Sequence, residues 1–354
     1  MNRMRYPLFD VAKAIAIFLV VYSHVMFCRP GFDLRTMPSY AMNFIWVINM
    51  PVFFMISGYF SRNLHESGDW KKFANRLIRY FWPLAVFGVV FAVVESVCCG
   101  KYPWTNIPLW ALKKFLFCGW FFYALAGCEL ITFLLYKWSE RLDVRIWICC
   151  CSFVVCLLGS GRIWHAKNIV AMIPFYWFGL WALPFILEAR NRYWWRLIAF
   201  VGGILLILTT FCCGSIATNG LSFYLNHYDI FNPTMHDFLL MLARYSLGVF
   251  GCCFLLLIIS GSLLVLPGLD KIAGIGTETL GIFFIQGYVI TYGSNKLVSL
   301  NASQGVLFAS SIIVVVLSWL IVKFLNSRKL IKVLIWGPQL KNGSLANENI
   351  VYNG

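Results

Sequence analysis

Residues 8–28 read LFDVAKAIAIFLVVYSHVMFC, an apolar run that carries three ionisable side chains, Asp10, Lys13 and His24. About 20 apolar residues cross the hydrocarbon core of a bilayer as a helix, and this run supplies them. A charge turned toward lipid would cost at least a few kcal/mol, so these groups are expected to face the interior of a helical bundle. Further apolar runs follow at 41–60, 80–98, 115–136, 146–162, 169–187, 196–213, 238–265, 272–292 and 304–325. The pattern predicts an all-α fold, a polytopic membrane helix bundle of about ten transmembrane helices.

Composition agrees. Of 354 residues, 60% are hydrophobic, 18% aromatic and 12% charged, against roughly a quarter charged in a soluble domain, which excludes a water-soluble globule. Arg3 and Arg5 precede the first run, but the run is long and no small-residue cleavage site follows it, so it is expected to be retained as a signal anchor. The formal charge of +15 raises nucleic acid as a partner. The basic residues are spread over loops, whereas a nucleic-acid surface would cluster them on one face, and no nucleic-acid partner is expected. They concentrate in alternate loops, which places the N-terminus in the cytoplasm. An even number of helices brings the C-terminus to the same side. One membrane domain is expected over 1–325, followed by a polar, mobile cytoplasmic tail at 326–354. The 13 cysteines include adjacent pairs such as Cys252 and Cys253, show no CxxC spacing, and read as small apolar residues.

The ionisable residues inside the runs are the informative ones. Eleven steps of about 100° bring His24 to within about 20° of the helix face of Lys13, at an axial separation of about 16 Å. The two cannot bond each other, so they serve different parts of one long ligand or different jobs. Asp10 stands three residues before Lys13, at ion-pair spacing; it is about 21 Å from His24 along the axis, which excludes a catalytic dyad. An interfacial anchor accounts for the Asp10–Lys13 pair equally well. Ser23 adjoins His24 but projects about 100° away from it, which disfavours it as a nucleophile.

In MPVFFMISGYFSRN at 50–63, Ser57 and Gly58 sit among aromatics and Arg62 follows at the membrane boundary. Gly58 permits close helix approach. Arg76 and Arg79 are three apart, and two guanidinium forks suit a phosphate cluster, although arginines placed by the positive-inside rule have the same appearance. Glu95, Glu129 and Arg244 lie within runs and Glu278 begins the ninth, where structural ion pairing and function are equally good accounts. His227, Asp229, His236 and Asp237 occupy the outer loop at 214–237. Two histidines nine apart are poor evidence for a metal, and no metal is expected.

These pieces resemble the acyltransferase 3 family of integral membrane acyltransferases. The resemblance runs from FDVAKAIAIFLVVYSHV at 9–25 through MPVFFMISGYFSRN at 50–63 and RLIRYFWP at 76–83 to WFFYAL at 120–125, and covers the ten-span plan. In that family a basic residue, ten intervening positions and a histidine mark the first helix; lysine at the basic position is similar to the branch of fucose 4-O-acetylase-like proteins. The resemblance implies His24 as the catalytic histidine and Lys13, Arg76 and Arg79 as residues binding an acyl-coenzyme A donor, acetyl-CoA by family habit, and matches Ser57 and Gly58 to the family's SGY segment. Beside these, Arg62 is a further candidate for donor binding, Asp10, Ser57 and Gly58 for orienting roles, and Glu129 and Arg244 for substrate binding. In TETLGIFFIQGY at 277–288 the chain departs from the family: Gln286 stands where histidine is common, so no second catalytic histidine is assigned.

The implied function is transfer of an acyl group to a hydroxyl of a cell-envelope or secreted glycan, or of its lipid-linked precursor, in the bacterial cytoplasmic membrane. The donor's phosphates would lie near Lys13, Arg76 and Arg79, and its pantetheine arm would cover the distance to His24, which would act as general base. Two other readings stand beside it. A transporter or flippase for a polar lipid or glycan would show inverted halves with paired broken helices, and no such symmetry is visible. A non-catalytic assembly or sensor protein would tolerate His24→Ala. The topology has its own test. A reporter active only outside the cytoplasm is expected to be active when inserted at 214–237 and silent when fused after residue 354, and the reverse pattern would invert the orientation.

Overall fold

In a computed structural model, the structure describes residues 7–27, 40–100, 103–139, 141, 143–147, 166–188, 193–212, 235–265, 268–292 and 303–337. These residues are helical, with no strand among them. The helices are α1 (Pro7–Phe27), α2 (Tyr40–Ser67), α3 (Trp70–Cys99), α4 (Ile107–Cys118), α5 (Trp120–Trp138), α6 (Ala166–Trp177) and α7 (Leu183–Glu188). They continue with α8 (Tyr193–Cys212), α9 (Met235–Val265), α10 (Leu269–Gly276), α11 (Thr279–Tyr292), α12 (Gln304–Ser327) and α13 (Lys329–Trp336). Among the described residues, six helical segments are long and apolar enough to cross a membrane, one of them Asn168–Glu188 running through α6 and α7, and Tyr193–Leu208 and Thr279–Thr291 are shorter apolar segments. The chain is an integral membrane helix bundle.

It groups into two compact units, one formed by Met1–Asp69 with Gly119–Lys323, the other by Trp70–Cys118 with Phe324–Gly354. In the first, α1 packs against α2, α9, α10 and α11. Its Val11, Ala12, Ala16, Val21 and Val25 are sealed from solvent, the mark of a helix that is apolar on all sides and therefore central. Small residues set the distances. A Cβ on Gly276 would collide with the Asp10 carbonyl, one on Gly58 with the Tyr176 carbonyl, and one on Gly179 with the Met55 carbonyl. Helices pack this closely in lipid because dispersion contact replaces the hydrophobic drive that water would supply.

Prolines interrupt the backbone ladders where the first unit is most irregular. Pro174 in α6 has no N–H for the Val170 carbonyl, and the Tyr245 hydroxyl from α9 reaches that carbonyl at 3.5 Å. Beyond it, Phe178–Ala182 winds as a π-turn, with the Leu183 N–H bonded to the Phe178 carbonyl. Polar edges also join α5 to α6. The Trp177 indole donates to Thr132 Oγ1 at 2.9 Å, and the Trp181 indole donates to the π-turn's other α5 neighbour, Tyr136 Oη, at 2.8 Å.

In the second unit, α3 and α4 approach closely at Gly88, where an added Cβ would stand 3.2 Å from the Ala111 carbonyl. The buried Glu95 meets Lys114 Nζ at 3.0 Å, so this intramembrane acid belongs to an ion pair. The Trp82 indole donates to the Leu334 carbonyl at 2.8 Å, holding α13 on α3.

The helix boundaries depart from the apolar runs at three places. The run at 115–136 is broken at Gly119, whose non-helical backbone (φ −104°, ψ 31°) separates α4 from α5. The run at 272–292 is divided by a turn at Thr277 and Glu278, where the Thr277 N–H caps α10. Within the segment expected as a tail, Lys329–Trp336 is helical (α13); its Ile335 is buried and its Trp336 ring meets Phe87 of α3, while Leu330 and Leu334 are exposed. The run at 146–162 lies outside the described residues beyond 147, as does the loop at 214–234.

The tight glycine contacts generate a stability prediction. Gly58→Leu and Gly179→Leu should each cost about 3 kcal/mol, at the upper end of ordinary overpacking, because the obstructing atoms are backbone carbonyls that cannot turn aside. Thermal unfolding in detergent should show a clear loss for both, while Gly261→Leu, with nothing within 4 Å, should be near neutral. An equal loss at all three positions would remove the close-approach argument.

Candidate functional site

His24 occupies the last turn of α1, where the helix meets α2, α5, α6 and α11 around a small cavity of about 60 Å³. His24 and Ser23 line it from α1, Asn49 from α2, Trp120 from α5, Asn168 from α6 and Phe283 from α11. One turn beyond Phe283, the buried Gln286 turns its amide onto the imidazole. Its Oε1 lies 3.0 Å from His24 Nδ1 and its Nε2 lies 2.9 Å from the same atom. The amide nitrogen also donates to the Phe283 carbonyl at 3.3 Å. When Nδ1 carries the ring proton it donates to Oε1, and the lone pair is then on Nε2. Among the described residues Nε2 has no hydrogen-bond partner. The ring is held through one nitrogen and has the other available to a ligand.

Aromatic packing stiffens this end of the bundle. Phe283 meets Phe122 edge-on at 5.4 Å and Phe121 at 5.7 Å, and Phe54 of α2 meets Phe121 edge-on at 5.4 Å. Ser23 Oγ donates to the Val20 carbonyl at 2.7 Å, so its hydroxyl is committed to the helix. Asn49 is nearly sealed, and its Oδ1 accepts the Met50 N–H at 2.7 Å, next to Pro51, where the α2 ladder lacks a donor. That bond occupies the amide oxygen and leaves the N–H₂ as the donor end of a side chain that lines the cavity.

Other candidate residues take different positions. Lys13 Nζ is ion-paired with Asp10 Oδ1 at 2.7 Å, as their spacing implied, and does not line the His24 cavity. Gly58 is a packing residue against Tyr176, and Ser57 beside it is half-buried. Arg62 forms an exposed pair with Glu66 at 2.8 Å. Glu129 is fully buried in α5. Arg244 falls within α9, and its side chain lies outside the described residues, as do those of His236 and Asp237. Arg76 and Arg79 belong to the second unit; Arg76 Nε donates to the Tyr80 hydroxyl at 3.0 Å, and Arg79 is exposed. Among the described residues no three His, Cys, Asp or Glu side chains gather as a metal site.

Sequence reasoning passed over two features. Asn49 and Asn168, the polar walls of the cavity, carry no motif that singles them out. His65 is sealed within α2, its Nε2 donating to Tyr176 Oη at 2.8 Å. Tyr176 donates to Ser61 Oγ at 2.5 Å, and Ser61 to the Gly58 carbonyl at 2.8 Å. The i,i+4 spacing of Ser61 and His65 was the available signal.

A family model described as an acyltransferase domain, of the acyltransferase 3 type, matches residues 6–323. Comparisons with curated proteins and with solved structures return no match.

The imidazole–amide contact can be measured as a coupling. Gln286→Leu should cost about 1–3 kcal/mol of stability by stranding a buried imidazole nitrogen, whereas removing both partners should be much less costly than the sum of the single losses. A double-mutant cycle with His24→Phe, read from unfolding in detergent, should therefore give a coupling of at least about 0.5 kcal/mol. Strict additivity would dissolve the pair.

Proposed function

Since the chain belongs to the acyltransferase 3 family of membrane acyltransferases, we propose that it moves an acetyl group from acetyl-coenzyme A to a hydroxyl of a cell-envelope or secreted glycan, or of its lipid-linked precursor. The membrane in this reading is the bacterial cytoplasmic membrane. The observation that carries it is the His24 imidazole, held at Nδ1 by Gln286 and lining a cavity with Nε2 unengaged among the described residues.

In this reading His24 Nε2 takes the proton of the acceptor hydroxyl as that oxygen attacks the thioester carbonyl. The carbonyl oxygen becomes an oxyanion. The tetrahedral intermediate collapses, the carbon–sulfur bond breaks, and the departing thiolate takes the proton from the imidazolium. The products are the acetyl ester and free coenzyme A, and the histidine is regenerated. Asn49 is the oxyanion donor of choice, because its Oδ1 is occupied by the Met50 N–H and its amide hydrogens are preset without reorganisation. Transfer is direct, since Ser23, the nearest hydroxyl in sequence, is bonded into its own helix.

Donor recognition is assigned to Arg76, Arg79 and Lys13 on side-chain chemistry. Guanidinium groups bind phosphate through paired N–H donors, and an ammonium bonded to Asp10 retains two further donors. Arg62 takes a peripheral part, its exposed pair with Glu66 contributing little stability and opposing little resistance to exchange for a phosphate. Glu129 and Arg244 are left to acceptor binding.

The test uses purified protein, radiolabelled acetyl-CoA and candidate glycans. His24→Ala should abolish transfer, and Asn49→Ala should lower kcat by about 10²–10³, the range for loss of one oxyanion donor. Arg76→Ala with Arg79→Ala should raise KM for the donor. Undiminished transfer by His24→Ala would refute the base assignment, and an unchanged donor KM in the arginine variant would remove the phosphate assignment alone.

A further inference from the structure

In the same unit as His24, the structure contains a second and larger cavity of about 380 Å³. Phe178 and Ala182 of the π-turn, Phe185 of α7, Ala199 of α8 and Leu256 of α9 contribute to its apolar wall. Among the described residues, Arg196 is the one charged side chain on that wall. We propose that this groove binds one acyl chain of an anionic phospholipid, with the lipid phosphate against Arg196.

Three observations fix the occupant. The first is depth. The groove follows α9 from Val249 to Ser260, eleven residues or about 16 Å of helix axis, close to half of the roughly 30 Å hydrocarbon core. A cavity one leaflet deep matches a lipid tail.

The second is lining. Apart from Arg196, Trp195 and Ser260, the described residues on the wall carry no polar nitrogen or oxygen in their side chains, so it offers a sugar almost nothing to hydrogen-bond and suits a hydrocarbon chain.

The third is the position of the charge. Arg196 lies in the first turn of α8, directly after Tyr193, Trp194 and Trp195. Tyr193 and Trp194 are each 70% exposed, and aromatic side chains of this kind settle at the level of lipid headgroups. The guanidinium therefore stands at the level of lipid headgroups, where its charge and fork of N–H groups suit phosphate oxygens. The groove owes part of its shape to the backbone. The π-turn holds Phe178 and Ala182 on this wall, and its Gly179 is pressed against the Met55 carbonyl of α2. Lipid binding here does not depend on the acyl-transfer reading.

The experiment is native mass spectrometry of the full chain after delipidation in detergent, with added dioleoylphosphatidylglycerol, dioleoylphosphatidylcholine or dioleoylglycerol. One phosphatidylglycerol should be retained per chain, at least tenfold more tightly than phosphatidylcholine, with dioleoylglycerol weakest. Arg196→Gln should erase the preference for the anionic headgroup and Arg196→Lys should restore part of it. Ala199→Trp, which fills the groove, should remove retention of all three. Arg196 is exposed, so its variants should keep the parent's unfolding temperature, and that measurement separates lost lipid from lost fold. Equal retention of phosphatidylglycerol by the parent, Arg196→Gln and Ala199→Trp would overturn the proposal, as would equal binding of charged and uncharged lipids by the parent.

Discussion

An imidazole enclosed by a bilayer-embedded bundle has to find its hydrogen bonds in the protein, because the surroundings supply none. His24 finds one in Gln286, and that contact binds the end of the central helix α1 to α11. The amide is itself steadied by the Phe283 carbonyl, and Phe283 by the rings of Phe121 and Phe122. A polar pair is thus set in an aromatic collar, where neither partner can turn away without stranding the other. The same contact determines which ring nitrogen is presented to the cavity.

Helix approach is governed by residues that lack a side chain. Gly276 brings α10 onto the backbone of α1 at Asp10, and Gly58 with Gly179 bring α2 against the end of α6 and the π-turn. Around the second contact, Ser61, His65 and Tyr176 form a chain of donors that ends on the Gly58 carbonyl. Proline acts alongside glycine. Pro51 and Pro174 remove the ladder donors of the Val47 and Val170 carbonyls; the Tyr245 hydroxyl reaches the second, and the π-turn that walls the lipid-sized groove follows it.

Much of this was legible in the residues. The Asp10–Lys13 pair follows from i,i+3 spacing, the role of Gly58 from its size, and the inward aim of His24 from the cost of turning an imidazole to lipid. Glu95 was undecided between ion pair and function, and Lys114, nineteen residues away, decides for the pair. Gln286 stood out only as a departure from a family pattern. Its position against His24, 262 residues distant in the chain, is information that no local spacing carries. Gly119 and the turn at Thr277 and Glu278 were hidden by apolar neighbours, since hydropathy averages over a window and does not register a single residue that leaves the helix.

By itself the sequence determined that this chain must live in a membrane as helices, because its apolar runs satisfy their backbone groups internally in no other open arrangement. It also determined the family, through local motifs whose spacing is fixed by helix geometry. The tertiary structure decided which nitrogen of His24 is held and which polar residues share its cavity. It also decided where the helices break and which surface opens to a lipid chain. Those choices depend on side chains from distant segments meeting at atomic distances, a matter of packing between helices and not of period within one.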